Sequence, residues 1–356
     1  MIKMKRRLLI VLVLVSTVLM VACKNGLPGF SEESITLTIA ESNKPNFVTL
    51  KCIVPGEGYD SIVWILPDGQ QFSQLNTFTV YFPNKGEYEV KVAITKGNKT
   101  AEIKKKVVIP SDDSRLAAGE QLVWHDEFDG YTLNQDWWSN DLNVHVNNEW
   151  QTYTDGDNIR LADGLLIITA RKAGEGQKEG DYTSGRVKSE GKKEFTYGRM
   201  EMRAKLPGGR GTWPALWMLG ANCSEVGWPA CGELDVMEHV GFDPGAVHSS
   251  IHTPSSCGNT VNTSVTRVET FETEFHTYGM YWTPEKIDFY VDSPENVFYT
   301  YAPEVKNDET WPFDKPFFFI LNQAVGGHWG GAQGVDDSIF PKEMYVEYVR
   351  VYQNIK

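Results

Sequence analysis

Gly232-Glu-Leu-Asp-Val-Met-Glu-His-Val-Gly241 is the stretch on which the reading of this chain turns. Successive side chains of a strand point to opposite faces, so Glu233 and Asp235 share one face and Leu234 and Val236 the other. Glu238 falls on the wrong face of a regular strand. One extra residue bulged at Val236 or Met237 returns it, and such bulges recur beside active sites. The expectation is a strand with three carboxylates on one face and apolar side chains on the other. Such a row costs a fold stability, because adjacent carboxylates repel and burial drives at least one to its protonated form. The bland alternative is a solvated acidic edge strand. It fits poorly beside Trp213, Trp217 and Trp228, where an exposed edge would be polar.

The neighbouring sequence carries the same two-residue period. Met200, Met202, Ala204 and Leu206 alternate with Glu201, Arg203 and Lys205, and Tyr345-Val-Glu-Tyr-Val-Arg-Val-Tyr352 alternates again near the end. No long stretch shows helical periodicity. Strand patterns joined by Gly-rich turns over residues 120–356 predict one large all-β unit, a sandwich or barrel. Upstream, over residues 34–110, the strands are shorter. Tyr88-Glu-Val-Lys-Val-Ala-Ile94 is one, and Pro67-Asp-Gly69 and Asn84-Lys-Gly86 are turn signals. A small β-sandwich is expected there. Residues 111–119, within Pro110-Ser-Asp-Asp-Ser-Arg-Leu-Ala-Ala-Gly119, read as a linker.

The chain of 356 residues is 41% hydrophobic and 23% charged, a globular composition that excludes collagen-like, coiled-coil and wholly disordered chains. Its formal net charge of −13 supplies no basic stripe to meet phosphate, which argues against a nucleic-acid partner. Of 11 tryptophans only Trp64 lies before residue 120, so function is to be sought in the C-terminal part. At the N-terminus, Lys3, Lys5, Arg6 and Arg7 precede the apolar run Leu8–Ala22 and then Cys23. A spanning helix takes about 20 apolar residues, so this shorter run fits a secretory signal over 1–22. The cysteines beyond Cys23 are too few for a disulfide scaffold in a chain of this length. Cys223 and Cys231 are candidates to pair in an exported protein, and the sequence leaves that open. No CxxC or HExxH spacing suggests zinc.

Two carboxylates of unequal pKa on one face are what cleavage of a glycosidic bond requires. One attacks the anomeric carbon and the other protonates the leaving oxygen. Retaining enzymes keep the pair about 5–5.5 Å apart and inverting ones about 6.5–9.5 Å. Two glutamates leaning from a single strand suit the shorter spacing. Asp235, between them, can hydrogen-bond the nucleophile and help to keep the acid protonated.

Glu233-Leu-Asp-Val-Met-Glu238 resembles the E-[IL]-D-x-x-E signature of glycoside hydrolase family 16, in its laminarinase-like branch. The likeness covers roughly residues 121–353 and continues, in order, through Trp124-His-Asp-Glu-Phe-Asp129, Asn147-Asn-Glu-Trp-Gln151, Thr183-Ser-Gly-Arg186 and Tyr197-Gly-Arg199. It includes Trp213-Pro-Ala-Leu-Trp-Met218, Gly227-Trp-Pro-Ala-Cys-Gly-Glu233, Phe275-His-Thr-Tyr278 and Ala324-Val-Gly-Gly327. The resemblance implies a concanavalin A-like β-jelly-roll and hydrolysis with retention of configuration. It implies Glu233 as nucleophile, Glu238 as acid/base and Asp235 as their assistant. It also implies a polysaccharide cleft carrying Asn148, Arg186, Trp213, Trp217, Trp228 and His252. Aromatic rings stack on the apolar faces of sugars, though for Trp217 and Trp282 a place in the core is at least as natural. A structural calcium is implied through Glu127, Gly164 and Glu347, with oxygen ligands suited to that ion. Glu347 stands where relatives use aspartate. The catalytic step needs no cofactor.

Two shorter resemblances complete the expectations. Leu19-Met-Val-Ala-Cys23 is similar to a bacterial lipobox. It implies lipid on Cys23, a tether over 23–33, and a mature chain anchored to the bacterial cell envelope, at the outer membrane. Trp64-Ile-Leu-Pro-Asp-Gly69 with Gly86-Glu-Tyr-Glu-Val90 resembles the PKD-type immunoglobulin-like fold, as a spacer or as a sugar-binding module. The resulting expectation is a monomer acting on β-1,3-glucan such as laminarin. Val146 replaces the glycine common before Asn-Asn-Glu, and Gly330 follows His328-Trp329 where many laminarinases carry proline. These departures keep mixed-linkage β-1,3-1,4-glucan and keratan- or mucin-type chains open as substrates. A non-catalytic glycan-binding protein is the alternative of another kind, and the three acids together speak against it.

Overall fold

The computed structural model describes residues 35–354, apart from 42–45, 55–57, 68, 70, 74–75, 118 and 131. The leader, Cys23 and the tether expected over 23–33 lie outside the described residues. Near the N-terminus, one sheet orders Thr36–Glu41, Phe47–Ile53 and Thr77–Tyr81. A second orders Gln71–Ser73, Ser61–Ile65, Gly86–Lys96 and Lys99–Ile109. Both contribute to one apolar core containing Leu50, Ile62, Trp64 and Val92, all fully buried. The strand expected over 88–94 is the middle of Gly86–Lys96, where Val90, Val92 and Ile94 alternate inward. It hairpins onto Lys99–Ile109, with Lys96 opposite Lys99. Gly97 in that turn has φ +59°, a left-handed conformation that glycine adopts at no steric cost.

Beyond the linker the described chain is a jelly roll of a ten-stranded and an eight-stranded sheet. Gly198–Lys205 lies inside the larger sheet, between His276–Trp282 and the long last strand Lys342–Asn354. The smaller sheet orders Thr263–Arg267, Ala246–His252, Glu233–Glu238, Thr212–Gly220, Phe317–Val325, Arg186–Lys188 and Ser139–Asn140, with Glu194–Phe195 also on Phe317–Val325. Met200, Met202 and Ala204 from the larger sheet share a core with Leu216, Met218, Leu234, Phe319 and Leu321 from the smaller. Trp282 belongs to this core and gives its indole N–H to the Phe313 carbonyl at 3.1 Å. Full burial of each such side chain is worth about 1.5–3 kcal/mol. That energy fixes which face of Glu233–Glu238 looks inward and which is left for chemistry.

The linker is tied at both ends. Asp113 accepts from the Tyr81 hydroxyl at 2.8 Å, and the Asn46 amide donates to the Ser111 carbonyl at 2.8 Å. Arg199, in the jelly roll, donates to the Arg115 carbonyl at 3.1 Å and to Glu120 at 2.7 Å. Phe47 completes the seam. Its ring centre lies 4.6 Å from the Arg350 guanidinium and 5.7 Å from the His125 ring.

Under that seam lie the residues expected to hold calcium. Glu127 is buried and gives both carboxylate oxygens to Arg350, at 2.8 and 2.9 Å. Glu347 accepts from Arg203 Nε at 2.6 Å. Gly164, the third position, forms a left-handed turn at φ +71°. Each of the two carboxylates is thus paired with a guanidinium, which leaves backbone carbonyls as the oxygens these positions could offer a cation.

Candidate active site

The strand Glu233–Glu238 carries the bulge its sequence called for, and Val236 is the extra residue. Against Thr212–Gly220, Leu216 faces Met237 while Trp217 faces Asp235. Against Ala246–His252, Asp235 faces Ser250 while Glu238 faces His248, so Val236 and Met237 together span the place of Ser249. The Ser249 hydroxyl donates to the Val236 carbonyl at 2.7 Å, which satisfies backbone that the bulge takes out of the ladder. Leu234, Val236 and Met237 all enter the core. Glu233, Asp235 and Glu238 are left on the opposite face.

Each glutamate receives one indole N–H. Trp228 Nε1 donates to Glu233 Oε2 at 2.8 Å, and Trp213 Nε1 donates to Glu238 Oε1 at 3.0 Å. Trp213 comes from the adjacent strand Thr212–Gly220, and Trp228 from the segment leading into Gly232. Trp228 is 47% exposed and so stands outside the core. His252 stands across from Glu233 in register. The Gly258 N–H points at His252 Nδ1 at 3.1 Å, and a backbone N–H can only donate. The neutral ring therefore carries its proton on Nε2, which lies 3.0 Å from Asp235 Oδ2 and 3.8 Å from Glu233 Oε1.

Burial pushes all three carboxyls above the ordinary carboxylate range. Glu233 is raised to about 8, chiefly by desolvation and then by the charge of Asp235. His252, the Trp228 N–H and the Arg186 guanidinium oppose that rise. Asp235 is raised by desolvation, and its hydrogen bond with Glu233 offsets part of this. Glu238 is raised well above its usual value by desolvation and by the charges of Asp235 and Glu233, against the Trp213 N–H and His252. Both glutamates hold their protons more tightly than a free carboxyl, and Glu233, raised to about 8, gives its proton up before Glu238, which is raised further.

Arg186 is held by Asp141 Oδ2 at 2.6 Å and lies 4.9 Å from the centre of the Trp217 ring. Trp217 gives its N–H to Asn322 at 2.7 Å, and the Asn322 amide donates to the Tyr153 hydroxyl at 3.1 Å. The sequence left Trp217 equally suited to core and cleft. It is partly buried, bound at its nitrogen and stacked on a cation beside the acids. Asn148 is exposed, and its amide partner is His328 at 3.0 Å rather than an acid. Sequence reasoning missed His248, Trp329 and Asn322. Trp329 stands edge-on to Trp213 at 5.5 Å and to His248 at 4.9 Å. Its signal was its place two residues after the Ala324–Gly327 element. His248 had none, since its position opposite Glu238 exists only in the register. Glu233, Asp235 and His252 also offer donor atoms within 4.8 Å of one another, so they are the residues that could hold a metal ion here.

The profile described as "Glycosyl hydrolases family 16" matches residues 146–350, more than half of the chain. The chain belongs to glycosyl hydrolase family 16. This family 16 chain is 44% identical over 261 residues to the "Beta-glucanase" of Rhodothermus marinus, covering 69% of this chain and 90% of that one. It is 38% identical over 243 residues to the "Keratan-sulfate endo-1,4-beta-galactosidase" of Sphingobacterium multivorum, covering 65% of this chain and 55% of the other. Among solved structures, the laminarinase of Flavobacterium sp. UMI-01 superposes with a TM-score of 0.61 at 47% identity, over 65% of this chain and all of that one. The family 16 membership accounts for the jelly roll and the acidic strand. The N-terminal sandwich lies outside the matched residues.

Proposed function

We propose that this glycosyl hydrolase is an endo-acting β-1,3-glucanase that cleaves laminarin-type polysaccharide with retention, by double displacement. The observation that carries this reading is the bulged strand, which turns two glutamates to one face and gives each its own indole donor. Glu233, in its ionised form and held by the Trp228 N–H, attacks the anomeric carbon while Glu238 passes its proton to the leaving oxygen. Glu238 then takes a proton from water, the water attacks the glycosyl–Glu233 ester, and the sugar leaves. Asp235 and His252 flank Glu233, with His252 Nε2 3.0 Å from Asp235 Oδ2 and 3.8 Å from Glu233 Oε1. The identity to a β-glucanase and to a laminarinase supports the glucan, and the galactosidase relative makes keratan-type chains the substrate to compare.

Pure protein offered laminarin, barley glucan, agarose and keratan sulfate is expected to cut laminarin internally, with the β-anomer appearing first by proton NMR. An initial α-anomer would exclude double displacement. The same proposal has a small PKD-type domain over 34–110, used as a spacer, and a monomer held at the bacterial outer membrane by lipid on Cys23. Its partner is polysaccharide, not nucleic acid. Metabolic labelling with a palmitate analogue tests the anchor: label lost in Cys23→Ser supports it, and label unchanged would exclude it.

A further inference from the structure

We propose that Cys223 and Cys231 form a redox couple whose disulfide closes the segment carrying Trp228 into a ring beside the nucleophile. Their sulfurs face each other at 2.7 Å, eight positions apart in sequence. Cys231 is buried and Cys223 partly exposed, so an oxidant in solution reaches one thiol while the other waits behind it. Cys52 is buried in the N-terminal core and Cys257 is exposed, and neither takes part in this contact.

The backbone holds the two thiols in place. Cys223–Val226 is a single helical turn. The Gly227 N–H donates to the Cys223 carbonyl at 2.9 Å, and the Cys231 N–H to the Gly227 carbonyl at 3.0 Å. At the base, the Gly220 N–H donates to the Gly232 carbonyl at 3.2 Å and the Ala221 N–H to the Pro316 carbonyl at 2.8 Å. A Cβ on Gly220 would come within 2.1 Å of the Cys231 carbonyl oxygen, so glycine is required for this approach. Between the two cysteines stands Trp228, exposed on one side and bonded to Glu233 at 2.8 Å on the other.

The chemistry is thiol–disulfide exchange with an external disulfide, small or protein-borne. The Cys223 thiolate attacks one sulfur of the oxidant and expels its first thiol. The Cys231 thiolate then attacks the Cys223 sulfur and expels the second. Two protein thiols become one disulfide, and their two hydrogens and two electrons end on the two thiols of the reduced oxidant. An exported chain meets such oxidants. Burial raises the Cys231 thiol, chiefly by desolvation, so its attack in the second step relies on the preformed contact with Cys223 rather than on a standing thiolate. The closed ring limits how far Trp228 can swing from Glu233, so the oxidised form presents a pre-organised platform. That last step rests on the reading of Trp228 as a sugar platform.

The test uses the full chain, equilibrated with oxidised or with reduced glutathione, alkylated and mapped by mass spectrometry. The expected result in the oxidised sample is a peptide linking Cys223 to Cys231 and lighter by two hydrogens, with Cys52 and Cys257 alkylated. Both Cys223 and Cys231 alkylated after excess oxidised glutathione would overturn the couple. Reduction is then expected to lower kcat/KM on laminarin by about fivefold and to leave a short aryl glycoside unchanged. Cys223→Ser should show the lower value whether oxidised or reduced. A linked peptide with laminarin turnover indifferent to reduction would overturn the role of the ring while leaving the bond. Absence of turnover on every glucan, with the bond formed, would instead count against the proposed function.

Discussion

The N-terminal sandwich and the jelly roll solve the same folding problem with different interiors. Among the described residues, every buried polar or charged side chain lies at Asp113 or beyond, and none lies between residues 36 and 109. The sandwich spends its interior on Leu50, Ile62, Trp64 and Val92. The jelly roll buries Asp235, His252, Arg186, Asn322 and the Arg350–Glu127 pair. A buried polar group costs free energy unless it is paired, and a buried carboxylate is pushed toward its neutral form. An interior that carries so many such groups is built for something besides stability. The contrast places the buried ionisable groups in one region and an apolar interior in the other, in keeping with the proposed division into chemistry and spacing, and the seam at Phe47 decides how separable they are.

The largest expected effect is on the acids. Glu233→Gln keeps size and removes the nucleophile, so kcat on laminarin should fall by at least about 10^4-fold while glucan binding persists. Appreciable turnover in that variant would break the assignment of chemistry to this strand. Glu238→Gln removes the proton donor and should cost about 10^2–10^4-fold on substrates with poor leaving groups.

Trp228→Ala comes next. Aromatic platforms for bases are worth about 1–3 kcal/mol each, and sugars stack on the same kind of surface. The ring also supplies the N–H on Glu233. kcat/KM on long glucan should drop about ten- to hundredfold, and less on a short aryl glycoside. Equal losses on both, with a lowered melting temperature, would place Trp228 among structural residues.

A smaller effect follows from pH linkage. Glu238 binds its proton more tightly folded than unfolded, so it contributes no penalty below the unfolded carboxylate range. As pH rises through that range the unfolded carboxylate ionises freely and the folded one resists, which favours unfolding. Glu238→Gln should therefore raise Tm by about 2–4 °C at pH 8 and leave it unchanged at pH 4, read by calorimetry at both. A gain of equal size at both values would mean that relief of ionic strain is not its source.

The smallest effect on catalysis belongs to the seam. Removing the residues before Ala117 strips Phe47 from Arg350 and His125 and the Arg115 carbonyl from Arg199. Turnover of soluble laminarin by the trimmed chain should stay within about twofold, while Tm falls by a few degrees. A large loss of kcat at unchanged fold would erase the division between spacing and chemistry.

Much of this was legible residue by residue. The two-residue period of Met200, Met202 and Ala204 reports burial directly, because side-chain alternation is a local property of any strand. The need for a bulge between Asp235 and Glu238 followed from parity alone. The cleft was less legible. Trp217 and Trp282 both stand in strands where a core place was at least as natural as a cleft place, yet one sits on Arg186 and the other in the core. Glu127 and Glu347 read as cation ligands, and nothing local announces that strand pairing brings Arg350 and Arg203 against them.

The amino-acid order by itself determined the strands, the face on which the three acids stand and the family, since these depend on spacing within a few residues. Only the tertiary structure decided which residue bulges, that His248 stands across from Glu238, and that Gly258 sets the proton of His252. It also decided that Phe47 and Arg350 meet across a linker tied at both ends. Those depend on strand register and on contacts between distant segments, and such contacts are settled by the burial of the whole core rather than by any local pattern.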